Sequence, residues 1–282
     1  MILSHSDYER EGSFSADVVV VGAGAGGAVV GTELAESGRD VLFVEEGSWV
    51  STDAFNPYSS ESIPRLYRDA AATVILGNPP IPYVEGRCVG GSTTINGGMA
   101  YRPPERVLDQ WAKISPDLSA RALEPLFERV EKQVSVGPQL PESIGDDNRV
   151  MTDGARKMGW SYTVNQRNQQ ACVGANNCGF GCPTGAKQST LVTYMPRALA
   201  AGARCLTELK VERLWIEAGR AVGVIARAVC PRTRRAGAEA RVRARAVVVS
   251  CGAVQTPYLL LGHKLGRPSR QLGKNFHCHP NA

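Results

Sequence analysis

The sequence predicts an α/β fold, a parallel β-sheet flanked by helices in the Rossmann-like arrangement. Three observations support this: a wholly apolar strand near the start of the chain, a glycine fingerprint directly after it, and an acidic residue at the end of the next strand. The chain has 282 residues and is 43% hydrophobic, which is enough for one large domain or two ordinary ones.

The first strand and the turn after it carry the strongest signal. Val18 to Val21 are four β-branched apolar residues in a row, typical of a parallel strand that is covered on both faces. Gly22, Gly24 and Gly27 follow as G-x-G-x-x-G. In this pattern the first glycine permits a tight turn, the second lets backbone approach a pyrophosphate, and the third lets the helix pack closely on the sheet.

The rest of the β-α-β unit follows in the expected order. The helix should run to about Ser37 and end at Gly38. A second apolar strand, Val41 to Val44, leads into Glu45, which stands 18 residues after Gly27. An acidic residue at about this spacing is placed to accept hydrogen bonds from ribose hydroxyls. This unit predicts a dinucleotide site but does not choose between NAD and FAD.

Two further stretches combine glycine with polar side chains. In "GRCVGGSTTINGGMAYRPPERVLDQWA", residues 86–112, Gly91 permits close approach of backbone to a ligand, while Ser92 and Asn96 offer hydrogen bonds. In "GAVQTPYLLL", residues 252–261, Thr256 and Pro257 are predicted to open a helix after the apolar strand at 247–249.

Taken together, these stretches resemble one family, the glucose–methanol–choline (GMC) oxidoreductases, which are FAD enzymes that oxidise alcohols. The resemblance runs from Asp17 to Ala282. "GRCVGGSTTINGGMAYRPPERVLD" is similar to the family's first signature throughout. "GAVQTPYLLLGHKLG" is similar to the second but departs from it at His263 and Lys264. "LKVERL" and "LGKNFHCHP" are similar to two further family segments.

The resemblance implies a cofactor site and its residues. Those expected to contact the pyrophosphate, ribose, adenine or flavin are Gly22, Gly24, Gly27, Glu45, Gly91, Ser92, Asn96 and Val211. Some members attach FAD covalently through a histidine just before the asparagine. Ile95 occupies that position here, so we expect FAD to be bound non-covalently.

The resemblance also implies two interleaved domains. Residues 15–112 and 205–282 are expected to form the two segments of the FAD-binding domain. Residues 113–204 are expected to start an α+β substrate domain that is incomplete, with Pro125 in the first turn of a helix. The family's C-terminal catalytic half is absent from this sequence. We therefore expect a fragment, a truncated gene product or one half of a split enzyme, with the complementary part as a partner.

No catalytic residue is assigned. The four histidines are His5, His263, His277 and His279, and none lies in a segment that resembles the family's catalytic one. In the complete protein, a histidine from the C-terminal half would take the alcohol proton. An alternative function is a flavin or iron–sulfur electron-transfer or interaction subunit without turnover of its own. An NAD-linked dehydrogenase is a weaker alternative, since it leaves residues 86–112 unexplained.

Three of the eight cysteines lie in one loop. In "ACVGANNCGFGCPTGAKQST", residues 171–190, Cys172, Cys178 and Cys182 have the spacing C-x5-C-x3-C-P. Its tail matches the end of a ferredoxin-type cluster motif. The loop resembles two GMC branches, the iron–sulfur sugar dehydrogenases and the long-chain alcohol oxidases. A [3Fe-4S] cluster, a loop without metal, a disulfide and a zinc site all remain open. We interpret the other five cysteines as core or loop thiols.

Composition excludes other classes. The formal net charge of +5 is too small to indicate nucleic-acid binding. The N-terminus shows neither a secretory signal nor a membrane span, so we expect a cytoplasmic protein. Arg241, Arg243 and Arg245 alternate with small apolar residues, which predicts a half-exposed strand.

Overall fold

The computed structural model describes residues 1–8, 12–265 and 269–277. Cys278 and His279 lie outside these residues. The strands found in the described part are β1 (Ile2–Leu3), β2 (Ser13–Val21), β3 (Val41–Val44), β4 (Thr73–Ile75), β5 (Ile81–Tyr83), β6 (Val136–Pro138), β7 (Gln166–Asn168), β8 (Arg204–Leu206), β9 (Leu209–Glu217), β10 (Arg220–Val229) and β11 (Ala236–Val249). The α-helices there are α1 (Ala25–Glu36), α2 (Ser59–Leu66), α3 (Ser92–Ile95), α4 (Glu105–Ala112), α5 (Ala120–Gln133), α6 (Asp146–Lys157), α7 (Tyr194–Ala200) and α8 (Gly252–Gly262).

A mostly parallel sheet organises the molecule, as the sequence predicted. It has seven strands in the order β1-β8-β3-β2-β11-β10-β9. The first five strands of this order pair in parallel, and β11, β10 and β9 form an antiparallel meander. The strand predicted at 41–44 is confirmed, and the one predicted at 18–21 is the end of the longer β2. Two small antiparallel pairs, β4–β5 and β6–β7, lie outside this sheet.

Strand β2 is covered on both faces because its valines alternate between two hydrophobic clusters. Val18 and Val20 belong to the cluster on the α1 and α7 side, with Met195 of α7. Val19 and Val21 belong to the other cluster, which also holds residues of the β9–β11 meander. A strand that is buried on both faces has no polar positions, which explains the unbroken run of valines.

Helix α1 lies unusually close to the strands that it covers. A Cβ at Gly27 would stand 1.9 Å from the Gly22 carbonyl oxygen, and one at Gly31 would stand 2.2 Å from the Phe43 ring. The helix ends at Glu36, one residue before the predicted end, and Gly38 follows with φ +84°. The third glycine of the fingerprint therefore has the packing role that the pattern predicts.

The long strand β11 is paired differently along its length. Its first part, up to Arg243, pairs with β10, and the part from Arg241 onward pairs with β2. From Ala244 to Val249, β2 is its only strand partner among the described residues. Val247 to Val249 are only half-buried although they are apolar and central in the fold. This edge of β11 is open to a further strand.

Two helices begin earlier than the sequence predicted. Helix α5 starts at Ala120, so Pro125 lies inside it rather than in its first turn. Ser119 caps this helix, its hydroxyl accepting a hydrogen bond from the Ala122 amide. Helix α8 starts at Gly252, which places Pro257 inside it as well. Both predictions gave the proline too much weight as a start signal, and in α5 the cap at Ser119 already sets the start upstream of Pro125.

Two other sequence predictions can be compared with the structure. The three arginines of β11 are exposed while Val242 and Ala244 between them are buried, so the half-exposed strand is confirmed. Within the described ranges, no helix is long and apolar enough to cross a membrane.

Gly27 offers a direct test of the packing of α1. Gly27→Ala should lower the free energy of unfolding by about 1–3 kcal/mol, since the new methyl group overlaps backbone that cannot move aside. Gly26→Ala is the matched control, because a Cβ there meets its nearest neighbour at an ordinary 3.6 Å. Urea denaturation measures both variants. Equal stability of the two would contradict the close packing.

Candidate functional site

A large cavity of the described structure lies at the carboxyl ends of β2, β3 and β11. Its volume is about 840 Å³, which is within the range of small-molecule and cofactor sites. Six residues predicted from the sequence line it, namely Gly22, Gly24, Glu45, Gly91, Ser92 and Val211. We call it the glycine-loop cavity. Ligands of open parallel sheets bind at this end of the strands.

The floor of the cavity is the turn between β2 and α1. The Gly22 amide donates to the Val44 carbonyl at 2.9 Å, and Gly22 has φ +95°. A Cβ at Gly22 would stand 2.5 Å from the Ser250 carbonyl oxygen. Gly24 is the N-cap of α1 and makes no side-chain capping bond. The first amides of the helix are thus available to an anion in the cavity.

A second glycine turn, residues 86–91, packs directly on the first. The Gly90 amide donates to the Ala23 carbonyl at 2.9 Å. Gly91 faces Gly24 so closely that a Cβ at Gly91 would stand 2.9 Å from the Gly24 Cα. Gly91 has φ 52° and ψ −142°, a conformation open essentially to glycine alone. Ser92 follows at the start of α3, its hydroxyl accepting from the Gly86 amide at 3.0 Å.

Glu45 closes the β3 end of the cavity. Its two carboxylate oxygens accept hydrogen bonds from the Ala23 and Gly47 amides, each at 2.9 Å. The residue is 7% exposed. Burial raises the pKa of Glu45 to about 7; the two amide bonds oppose this rise, and the neighbouring Glu46 carboxylate adds to it. Each oxygen keeps a lone pair for a further donor.

Arg68 is a cavity residue that the sequence analysis missed. Its guanidinium forms an ion pair with Glu46 at 3.0 Å and another with Glu85. Burial works to lower the pKa of Arg68, but the two carboxylates outweigh it and raise the pKa above its ordinary value. Glu85 also accepts from the Tyr83 hydroxyl at 2.7 Å. No motif surrounds Arg68, so nothing in the sequence marked it.

Two predicted residues lie away from the cavity. Gly27 packs against Gly22 rather than lining the cavity. Asn96 is exposed at the end of α3, and its side-chain oxygen accepts from the Gly98 amide at 3.1 Å. Ile95, at the position of covalent attachment in some relatives, is buried. A direct contact of Asn96 with a cofactor stays a prediction.

Comparison with known proteins agrees with this architecture. The family model described as GMC oxidoreductase matches residues 16–281. The chain belongs to the GMC oxidoreductase family. It is 37% identical over 267 residues to an uncharacterized GMC-type oxidoreductase of Sinorhizobium fredii, an alignment that covers 94% of this chain and 52% of that protein.

Two further similarities bear on fold and function. A long-chain-alcohol oxidase of Arabidopsis thaliana is 27% identical over 275 residues, covering 94% of this chain and 36% of the oxidase. The crystal structure of pyridoxine 4-oxidase from Mesorbium loti superposes with a TM-score of 0.63 at 18% identity, covering 87% of this chain and 51% of that one. The chain thus spans about half the length, or less, of these GMC relatives.

The glycine-loop cavity fits the FAD that membership of the GMC family implies. Glycine backbone forms its walls at Gly22 and Gly91, where a Cβ would overlap neighbouring backbone. An uncapped helix N-terminus supplies amides to phosphate, and a carboxylate stands at the end of the second strand. These are the donors and acceptors that a dinucleotide requires.

The cysteine loop is held against the first-signature segment by a buried amine. Lys187 is 4% exposed, and its Nζ donates to the carbonyls of Thr94, Asn96 and Cys178, each at 2.7 Å. Burial lowers the pKa of Lys187 to about 8, although nearby cysteines counteract part of that effect. The sequence analysis missed this residue because a single lysine in a loop carries no pattern.

The structure does not bring the three loop cysteines together as metal ligands. Among the described residues, no group of three or more His, Cys, Asp or Glu side chains could hold a metal ion. Cys178 accepts a hydrogen bond from Arg167 at 3.2 Å, and Cys182 accepts one from the Lys187 amide at 3.4 Å. Cys172, Cys178 and Cys182 are free thiols. Among the described residues the three sulfurs do not converge as a [3Fe-4S] cluster requires, so the structure gives the tentative cluster no support.

Among the described residues outside the cysteine loop, no cysteine or histidine is assigned a catalytic role. Cys88 and Cys205 are fully buried, and Cys230 and Cys251 are partly buried; all four are free. His263 accepts a hydrogen bond at Nε2 from the Leu214 amide of β9 at 2.8 Å, which gives the unusual residue of the second signature a structural role. None of the described histidines lines the glycine-loop cavity.

Glu45 should make the stability of the cofactor-free protein depend on pH. Its pKa is about 7 in the folded state against an ordinary 4.5. Because the folded-state pKa is raised, the stability that protonated Glu45 contributes is fully present below pH 4.5 and is lost as the pH rises through 7. The loss amounts to about 3 kcal/mol. Glu45→Gln should remove this dependence in urea titrations from pH 4.5 to 8, and exposed Glu128→Gln should not. Parallel profiles for wild type and Glu45→Gln would contradict it.

Lys187 should be essential to the cysteine loop. Lys187→Met leaves three buried carbonyls without a donor and should lower the free energy of unfolding by at least about 2 kcal/mol. It should also expose Cys178, so that a thiol reagent labels it faster than in wild type. Exposed Lys113→Met removes the same charge and should change neither quantity. Unchanged stability and labelling in Lys187→Met would contradict the role of the amine.

Proposed function

We propose that this chain is the FAD-binding portion of an oxidoreductase that acts on the CH–OH group of alcohols, with FAD held non-covalently. The glycine-loop cavity carries the proposal, since it combines two facing glycine turns, a helix N-terminus and a buried carboxylate at one end of a parallel sheet. The similarity to a long-chain-alcohol oxidase supports alcohols as the substrate class.

Each part of the cavity would contact a different part of FAD. The amides at the start of α1 would receive the pyrophosphate, with Gly24 and Gly91 allowing the backbone to approach. The free lone pairs of Glu45 would accept from the adenosine ribose, and Val211 would pack on the adenine. Ser92, where the second glycine turn leads into α3, would lie beside the pyrophosphate and the flavin.

Substrate chemistry in this proposal requires groups beyond this chain. Bound FAD would supply the acceptor for a hydride from the alcohol carbon. The proton of the alcohol needs a base, and the described histidines lie outside the cavity. A complementary C-terminal part would supply it. The open edge of β11 from Ala244 to Val249 is a surface on which such a part can add a strand.

The proposal rests on the FAD site and does not include a metal centre. An iron–sulfur cluster is left out, because the described residues show no group of three cysteines placed to hold one. The alternative, an electron-transfer or interaction subunit, shares the same FAD site and differs only in turnover. The cytoplasmic location stays a prediction from the sequence.

FAD binding can be measured on this chain. Purified with FAD, it should be yellow and should release all its flavin on acid precipitation, since Ile95 cannot form a covalent link. Glu45→Ala should weaken FAD binding at least about tenfold, because charge-assisted hydrogen bonds contribute about 1.5–3 kcal/mol. Exposed Glu128→Ala is the control. Flavin that stays with the precipitated chain, or equal affinity in all three proteins, would argue against the assignment.

Turnover distinguishes the enzyme from the electron-transfer alternative. The chain alone should not oxidise alcohols at a useful rate, as general-base help contributes about 10²–10⁴-fold. Co-expressed with a C-terminal half from a GMC relative, its bound flavin should be bleached anaerobically by a long-chain primary alcohol. A flavin that only dithionite reduces in that complex would favour the electron-transfer subunit.

A further inference from the structure

A second, smaller cavity lies beside the glycine-loop cavity and has a different chemical character. Its volume is about 300 Å³. It is bounded by β9, β10, the turn that joins β10 to β11, and the loop before Cys88. Glu46, Lys210 and Glu212 line both cavities, so the two are neighbours. We call this smaller cavity the basic pocket.

Arg87 is the central observation in the basic pocket. It lines the pocket and is 4% exposed. Its Nε is buried without a hydrogen-bond partner, and among the described residues its guanidinium forms no ion pair. A buried charge without a counter-charge is strongly unfavourable. Nearly all buried polar groups in proteins have a partner, so an orphaned one indicates an ion or water that completes the site.

A second guanidinium reaches the same pocket. Arg234, from the β10–β11 turn, lines it, and its Nη1 is also buried without a partner. Burial lowers the pKa of Arg234, while the Glu46 and Asp69 carboxylates offset only part of this effect. Two guanidinium groups thus line one small pocket, each with a buried donor that is unused.

The other charges of the pocket do not neutralise the two arginines. Glu46 is engaged by Arg68 at 3.0 Å, and Glu212 by Arg227 at 3.1 Å. Of the acids that line the pocket, these two pairs leave Asp69. Of the bases that line it, they leave Arg87, Arg234 and Lys210. None of these four residues forms an ion pair in the described structure. The excess is positive, which favours a ligand with two negative charges.

We propose that the basic pocket is a binding site for a phosphate group, either free phosphate or a small phosphate monoester, bound chiefly by Arg87 and Arg234. Guanidinium groups bind phosphate oxygens through paired, charge-assisted hydrogen bonds. The volume is at the lower end of ligand-binding cavities, so it fits a phosphate with a small organic group and excludes a dinucleotide. The site is separate from that of FAD, because neither arginine lines the glycine-loop cavity.

The test is a calorimetric titration of the FAD-loaded chain with inorganic phosphate, and in a second arm with glycerol 3-phosphate, at constant ionic strength. FAD blocks the amides of α1, which bind phosphate when they are free. We expect one phosphate per chain. Arg87→Met and Arg234→Met should each weaken it at least about tenfold without a change in FAD affinity. Exposed Arg220→Met should bind as wild type does. The tighter of the two ligands, inorganic phosphate or glycerol 3-phosphate, shows whether the site prefers free phosphate or a monoester.

The outcomes separate this site from the proposed FAD site. Should Arg87→Met fail to fold, Arg234→Met, in a surface turn, gives the same test. If the chain does not hold FAD, phosphate can also bind at the glycine turns, but neither arginine substitution changes that binding. The part of the phosphate binding that is lost in the arginine variants then still reports the basic pocket. Absence of phosphate binding, or equal binding by wild type and both variants, would overturn the proposal.

Discussion

The approach of two glycine turns is the constraint on which the rest of the site depends. Gly24 at the start of α1 and Gly91 before α3 face each other so closely that a Cβ at Gly91 would overlap the Gly24 Cα. The Gly90 amide fixes this approach by its bond to the Ala23 carbonyl. The Ala23 amide, in turn, holds the Glu45 carboxylate. One short stretch of backbone thus couples the first turn, the second turn and the acid at the end of β3.

The surroundings of this junction keep it in place. The four valines of β2 anchor the first turn in both hydrophobic clusters, and Gly27 lets α1 start directly above it. The second turn leads into α3, whose last carbonyls accept from Lys187 in the cysteine loop. The cysteine loop thereby supports the first-signature segment through a buried amine. A metal ion is not needed for that support, since the ammonium group satisfies the carbonyls itself.

Sequence reasoning predicted the parts whose physics is local. The β-α-β unit is one such part. Its apolar run at Val18–Val21, its turn glycines and the spacing to Glu45 all fit the same arrangement. The role of Arg68 arises from ion pairs to Glu46 and Glu85, which are distant in sequence, so no local pattern could reveal it. The roles of Lys187 and Arg87 likewise depend on residues distant in sequence, so no local pattern could reveal them. The cysteine spacing left the arrangement of the thiols open, because it constrains distance along the chain and not the direction of the thiols.

The central claim, that two glycine turns form the FAD cradle, is tested most directly by titrating FAD into Gly91→Ala and Gly97→Ala. Both substitutions lie in one segment, but a Cβ at Gly91 overlaps Gly24, whereas one at Gly97 meets nothing within 4 Å. The account predicts one FAD per chain for wild type and Gly97→Ala, with binding weakened at least about tenfold in Gly91→Ala, whose far-ultraviolet circular dichroism should stay unchanged. Equal FAD affinity in all three proteins would contradict it.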